Sequence, residues 1–195
     1  ATGTPDLQAA SDTGSSNSDN ITNDTTPTFD ISCVTGSTVQ LYSDAVATGT
    51  SAVCAGSTVT LTAGTLSAGS RSITAVQTDP AGNASPASTA LAITLDTTAD
   101  AAPGTPDLQA ASDTGSSNND NITNDTTPTF DISCVTGSSV QLYSDAVASG
   151  TAATCAGGTV TLTTGVLAAG ARSITAVQTD PAGNASPASS ALSVT

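Results

Sequence analysis

The sequence is one unit written twice, and this duplication constrains the fold more than any other feature. An offset of 101 residues places Pro5 on Pro106 and Arg71 on Arg172 without a gap, and only 13 of the 92 aligned positions from residue 3 to residue 94 differ. Two copies this similar must share one fold. The repeat is also far longer than a solenoid repeat of roughly 20 to 50 residues, so each copy is predicted to be a complete domain with its own core.

The duplication also predicts the domain boundaries. Domains are expected at residues 1–97 and 98–195, joined by the segment LDTTADAAPGTPDL at residues 95–108. The chain opens with ATGTPDL, which resembles the end of that joint. This similarity predicts that further copies flank the two in a longer protein.

Within each copy, apolar residues alternate with Thr and Ser at a period of two, as in TPTFDISC and RSITAVQ. This alternation is typical of strands that bury one face, and no window of helical length carries an apolar stripe. Strands are predicted in the first copy at residues 5–10, 25–33, 38–43, 50–54, 58–63, 71–78 and 87–95. The fold class is therefore predicted to be all-β, with two tandem immunoglobulin-like antiparallel β-sandwich domains.

The charge of the chain excludes several classes of function. Arg71 and Arg172 are its only basic residues, and sixteen aspartates give it a formal net charge of −14. Such a polyanion is not expected to bind nucleic acid, and no apolar stretch is long enough to insert directly into a membrane. The absence of His removes the usual general base, so an enzyme is not expected. The few large aliphatic residues leave two interpretations open, disorder or a fold held together by more than its core.

Each copy contains one pair of cysteines. Cys33 follows the second predicted strand and Cys54 precedes the fifth, and the turns that carry them lie at the same pole of an immunoglobulin-type sandwich. Disulfides are predicted between Cys33 and Cys54 and between Cys134 and Cys155, with buried free thiols as the alternative. The spacing does not suit a zinc or redox motif. Disulfides are typical of an oxidising, extracellular setting.

Three motifs carry a family resemblance. The string SDTGSSNSDNITNDTTPTF, the ending AVQTDPAGNASPAS and the joint LDTTADAAPGTPDL together resemble the bacterial Ig-like extender repeats of giant secreted RTX-type surface adhesins. The resemblance covers essentially the whole chain, twice. It implies extracellular β-sandwich modules that are strung into a stalk and bind calcium at their junctions. The cysteine pair departs from the pattern, because many such repeats lack it.

Strand direction predicts where the aspartates lie. In an immunoglobulin-type sandwich, the turn after the first strand, which carries Asp12, Gly14, Asp19 and Asn20, shares a pole with the end of the last strand at Asp96. This pole faces the linker. Asp100 of the linker and the turn with Asp180 and Asn184 in the second domain are expected to converge on it.

Four or five carboxylates in one small volume would repel one another unless a cation compensated them. Calcium takes six to eight oxygen ligands from carboxylates, amides and backbone carbonyls, which are the groups available here, whereas magnesium demands near-ideal octahedral geometry. The EF-hand pattern is absent, so the calcium prediction rests on convergence and on the resemblance. The candidate metal ligands are Asp12, Gly14, Asp19, Asp96, Asp100, Asp180, Asn184, Asp79, Asp113 and Asp120.

The hexapeptide DTGSSN, at residues 12–17 and 113–118, also matches the catalytic loop of pepsin-like aspartic proteases. That chemistry requires two aspartates buried at the ends of apolar strands so that they share one proton. Here the aspartate is followed by a long polar stretch, and neither a flap nor a second apolar strand that ends in Gly is found. The protease interpretation is therefore rejected.

The function predicted is structural. The two modules are expected to act as monomeric extender repeats at a bacterial cell surface, with calcium ions and neighbouring repeats of the same chain as their partners. Calcium at the linker would stiffen the joint and project a distal binding domain. The alternative is a carbohydrate- or protein-binding adhesion module, which the scarcity of aromatic residues, 2% of the chain, disfavours.

Overall fold

The computed structural model describes residues 2–195 and is all-β. The chain divides into two compact units, the first ending at Thr97 and the second beginning at Thr98. The strands of the first unit are β1 (Asp6–Leu7), β2 (Ile21–Thr22), β3 (Thr28–Ser32), β4 (Thr38–Ser43), β5 (Val46–Val53), β6 (Thr58–Thr62), β7 (Gly69–Thr78) and β8 (Leu91–Leu95). Those of the second are β9 (Asp107–Leu108), β10 (Thr129–Ser133), β11 (Ser139–Ser144), β12 (Val147–Thr154), β13 (Thr159–Thr163), β14 (Arg172–Thr179) and β15 (Leu192–Val194).

Each unit is a sandwich of two sheets, as predicted. In the first unit one sheet has the order β1-β3-β6 and the other β2-β8-β7-β4-β5. The alternation seen in the sequence sets which side chains face inward. Phe29 and Ile31 of β3 pack against Val39 and Leu41 of β4, and all four are at most 1% exposed. The second unit repeats this arrangement with the sheets β13-β10-β9 and β12-β11-β14-β15.

The fourth predicted strand corresponds to β5 and is longer in the structure than the sequence predicts. It was expected at residues 50–54, but β5 spans Val46–Val53 and pairs with β4. The cause is the two-residue turn at Asp44 and Ala45, whose φ angles of 50° and 65° are those of a tight hairpin turn. The strand begins directly after this turn. Most of its side chains are exposed, so it lacks the alternation that marks a half-buried strand.

The first and last strands are shorter than predicted, and β2 was not predicted at all. β2 consists of Ile21 and Thr22 and pairs with β8 in parallel. Two residues are too few to show a period. In the second unit the same contact is made by the hydrogen bonds Thr123 N to Thr195 O and Thr195 N to Asn121 O.

The predicted disulfides are confirmed. Cys33 is bonded to Cys54, and Cys134 to Cys155, with 6.2 and 6.1 Å between the Cα atoms of each pair. Within residues 2–195 no cysteine is left free. Each bridge packs against the core of its unit, which supplements a core poor in large side chains.

No helix in the described part of the chain is long and apolar enough to cross a membrane.

Candidate metal centre

The loop between β1 and β3 buries one carboxylate. Backbone N–H groups of Ser11 and Asp12 both donate to the Gln8 carbonyl, which turns the chain inward after β1. Asp12 is only 3% exposed, and its Oδ2 accepts a hydrogen bond from Asn20 N at 3.1 Å. Its Oδ1 is buried and has no hydrogen-bond partner.

The second unit reproduces this carboxylate. Asp113 is 3% exposed, its Oδ2 accepts from Asn121 N at 3.1 Å, and its Oδ1 is again buried without a partner. Unpartnered buried polar atoms are rare in folded proteins, because each one costs about 1–3 kcal/mol, and more when it is charged. Each copy of the loop therefore contains one buried carboxylate oxygen without a hydrogen-bond partner among the described residues.

The rest of the loop is tied down by its own side chains. Asp19 accepts from Ile21 N through Oδ1 at 3.0 Å, and Thr22 donates from Oγ1 to Ser11 O. Gly14 has a φ of 95°, a conformation that favours glycine. In the second unit, Asp120 accepts from Ile122 N in the same way as Asp19.

The end of β8 lies beside this loop. Thr94 N donates to Asn20 O, and Asp96 N donates to Thr22 O, both at 2.8 Å. The first unit therefore brings together the loop with Asp12 and Asp19 and the start of the linker at Asp96. The strand directions of an immunoglobulin-type sandwich predicted that these segments lie close together.

The other predicted ligands make hydrogen bonds within their own turns or within the linker region of the second unit. Asp180 is 4% exposed and accepts two hydrogen bonds from Asn184, through the backbone N–H and through Nδ2, both at 2.9 Å. In the first unit, Asp79 makes the same turn with Asn83, whose side-chain and backbone donors hold the pKa of Asp79 below its ordinary value. Asp100 accepts a hydrogen bond from Ser138 Oγ.

Within neither unit do the described aspartates form a cluster of four or five carboxylates. Among residues 2–195 there is no group of three or more acidic or cysteine side chains placed to hold a metal ion. Asp19, Asp100, Asp120 and Asp180 accept hydrogen bonds from nearby backbone or side-chain donors, whereas Oδ1 of Asp12 and of Asp113 accepts none among the described residues. An ion at the loop would draw part of its coordination from amide and backbone carbonyl oxygens, which calcium accepts.

Neither arginine compensates the charge of the loop. Arg71 is paired with Asp44 at 3.0 Å, and Arg172 with Asp145 at 2.9 Å, at the hairpin turns. The pKa of Asp44 lies below its ordinary value because of the Ser72 N–H donor first and the Arg71 guanidinium second. Among residues 2–195, both arginines are therefore paired at hairpin turns, and neither is paired with Asp12.

Two buried residues at the opposite pole, Ser138 and Gln178, were not among the predicted site residues, and each is 1% exposed. Gln178 occupies an inward position of β14, where the alternation calls for an apolar residue. A polar residue in that register is the signal that could have identified it.

Comparison with known proteins places the chain in a family. A family model described as a bacterial Ig-like domain matches residues 1–97 and again residues 100–195. No match was found among curated protein sequences.

Three solved structures illustrate the similarity. Fibronectin(III)-like modules of Clostridium thermocellum CbhA are 15% identical, with a TM-score of 0.49, over 89% of this chain and 86% of theirs. A 1.5-MDa bacterial ice-binding adhesin is 18% identical (TM-score 0.43), over 98% of this chain and 63% of its own. A Ca²⁺-stabilized adhesin of an Antarctic bacterium is 16% identical (TM-score 0.44), over 99% of this chain and 48% of its own. By the family model, which matches nearly all of its length, the chain belongs to the bacterial Ig-like domain family and carries two copies of the domain.

Proposed function

We propose that the chain is a pair of structural extender modules from a bacterial surface adhesin, and that calcium stiffens the joint between repeats. The observation that carries the proposal is the buried, unpartnered Oδ1 of Asp12 and of Asp113. The high similarity of the two copies supports a structural role, because repetition suits a stalk better than specific recognition does.

The loop of the first unit offers a coherent ligand set. Asp12 would supply its Oδ1, and Asp19, Asn20 and Gly14 would supply side-chain or backbone oxygens nearby. Asp96 begins the linker beside this loop, since its N–H donates to Thr22 O. An ion held there would join the start of the linker to the unit.

The mechanism proposed is mechanical. Asp100, Asp180 and Asn184 are proposed to complete the coordination from the following repeat. Without the ion, repulsion among aspartates in a chain of net charge −14 would favour a loose joint. With the ion, the linker would lose conformational freedom, and an array of such modules would project a distal domain from the cell surface.

A second candidate function is a binding module, which one observation favours. Each unit has an open cavity beside the loop, of ≈ 600 Å³ in the first unit and ≈ 620 Å³ in the second, lined by carboxylates and amides such as Asp6, Gln8, Asn17 and Asn20. Such groups hydrogen-bond sugars, but the lining contains no aromatic residue for stacking. A glycan array separates the two, because a saturable glycan signal would favour the binding module.

The direct test of the proposal is a calorimetric titration of chelator-treated protein with calcium, and with magnesium for comparison. Saturable binding of at least one calcium ion per unit, with weaker magnesium binding, is expected. Absence of a calcium-specific heat, together with an unchanged melting temperature, would overturn the proposal.

A further inference from the structure

The second unit holds the end of the linker with two buried polar side chains. Ser138 Oγ donates to Asp100 Oδ2, and Gln178 Nε2 donates to the Ala101 carbonyl at 2.7 Å. Gly104 N then donates to Ser133 O at 2.8 Å, so the segment from Asp100 onward is anchored to the second unit.

The first unit holds the beginning of the linker. Asp96 N donates to Thr22 O at 2.8 Å, which fixes the residue that follows β8. Only residues 97–99 separate this anchor from Asp100. The four Cα–Cα steps from Asp96 to Asp100 span at most about 14 Å, so the stretch between the two anchors is much shorter than the fourteen-residue joint seen in the sequence.

The disulfide of the second unit supports this anchor. The Ser138 carbonyl accepts from Cys155 N at 2.8 Å, and Gly137 N donates to Cys155 O at 3.0 Å. The bond from Cys134 to Cys155 closes the same loop covalently. Gln178 adds a second tie, because its Oε1 accepts from Val135 N at 2.9 Å.

We propose that Ser138 and Gln178, supported by the Cys134–Cys155 bridge, are positioning residues that fix Asp100 and Ala101 on the second unit, so that the linker is held from Asp100 onward. The contribution of this anchor to a stalk rests on the proposed function. The anchor itself consists of hydrogen bonds and a disulfide, and it requires no ion.

The first unit supplies a matched control. Ser37 and Gln77 occupy the same places, with Ser37 O accepting from Cys54 N at 2.8 Å and Gln77 Oε1 accepting from Val34 N at 2.9 Å. Ser37→Ala thus repeats the internal change of Ser138→Ala without touching the linker.

The test is ¹⁵N relaxation of the full chain in chelator, with Ser138→Ala compared with Ser37→Ala. In the parent, the amide order parameters of Asp100 and Ala101 are expected to be near the rigid value of about 0.85. Ser138→Ala is expected to lower the order parameter of Asp100 below about 0.6, whereas Ser37→Ala leaves both values unchanged. The double variant Cys134→Ser and Cys155→Ser should lower them as well.

A second variant distinguishes loss of the anchor from a folding defect. Asp100→Ala removes the same hydrogen bond from the linker side and leaves the interior of the unit intact, so it should lower the order parameter of residue 100 in a folded protein. If both Asp100→Ala and Ser138→Ala behave like Ser37→Ala, the anchor is refuted. Because these measurements are made without calcium, their outcome is independent of whether the proposed calcium role fails.

Discussion

Replacing both buried loop carboxylates with amides should change stability in opposite directions with and without calcium. Asp12→Asn combined with Asp113→Asn keeps the size of each side chain and one oxygen to accept from Asn20 N or Asn121 N. It places the neutral Nδ2 group of the amide where the carboxylate oxygen without a partner lies. In chelator this replaces an unpartnered carboxylate oxygen with a neutral group, which lowers the desolvation penalty of the folded state.

The magnitudes follow from the burial of the two groups. A buried charged group without a partner costs upwards of about 1–3 kcal/mol, so the variant should be more stable than the parent by about 1 kcal/mol per unit in chelator. Calcium at 100 times its dissociation constant should add about 2.7 kcal/mol per site to the parent alone. In calcium the parent should therefore exceed the variant by about 1–2 kcal/mol per unit.

The assay is guanidinium unfolding followed by circular dichroism, in chelator and in calcium. Asp6→Asn combined with Asp107→Asn is the control, because both residues are exposed and the change in charge is the same. The control should respond little in either condition. If the Asp12→Asn and Asp113→Asn variant is less stable than the parent by the same amount in chelator and in calcium, the loop carboxylates do not bind an ion and the reasoning fails.

Two further predictions concern the sandwich itself. Gly49→Ala should destabilise the first unit by about 2–4 kcal/mol in denaturant unfolding, because its Cβ would lie 2.0 Å from the Thr62 carbonyl oxygen and its φ is +65°. Gly56→Ala is the control, because a Cβ there would have nothing within 4 Å, and it should change the free energy of unfolding by less than about 0.5 kcal/mol. Equal effects of the two substitutions would contradict the packing described for Gly49. The lowered pKa values of Asp44 and Asp145 imply stability that is present above about pH 4 and is lost as pH falls through the folded-state values. Changing both to Asn should flatten the decline of the unfolding midpoint as pH falls below about 4, and an unchanged decline would show that these turns do not contribute.

The fold was predictable because it depends on repetition and alternation. The period of two placed Phe29 and Ile31 on one inward face, and the turn residues separated the strands. The length of β5 was not predictable in the same way, since an edge strand exposed on both faces has no period. Pairing of β2 with β8 depends on how a long loop folds back, which no local pattern encodes.

The site was predictable only at the level of its neighbourhood. Strand direction correctly placed Asp96 beside the loop of Asp12, because the direction of each strand fixes the pole at which it ends. It could not identify which carboxylate is buried without a partner, since every aspartate of the loop looks alike in sequence. Nor could it show that Asp100 is held by Ser138, a contact that depends on the disulfide-closed loop.

The central claim is that calcium stiffens the joint, and small-angle X-ray scattering of the full chain tests it most directly. The parent is expected to show a longer maximum dimension and a narrower distance distribution in calcium than in chelator. The Asp96→Asn and Asp180→Asn double variant should keep its β-rich circular dichroism but remain shorter and broader in calcium. Identical profiles for the parent in calcium and in chelator, or a variant as extended as the parent, would contradict the account.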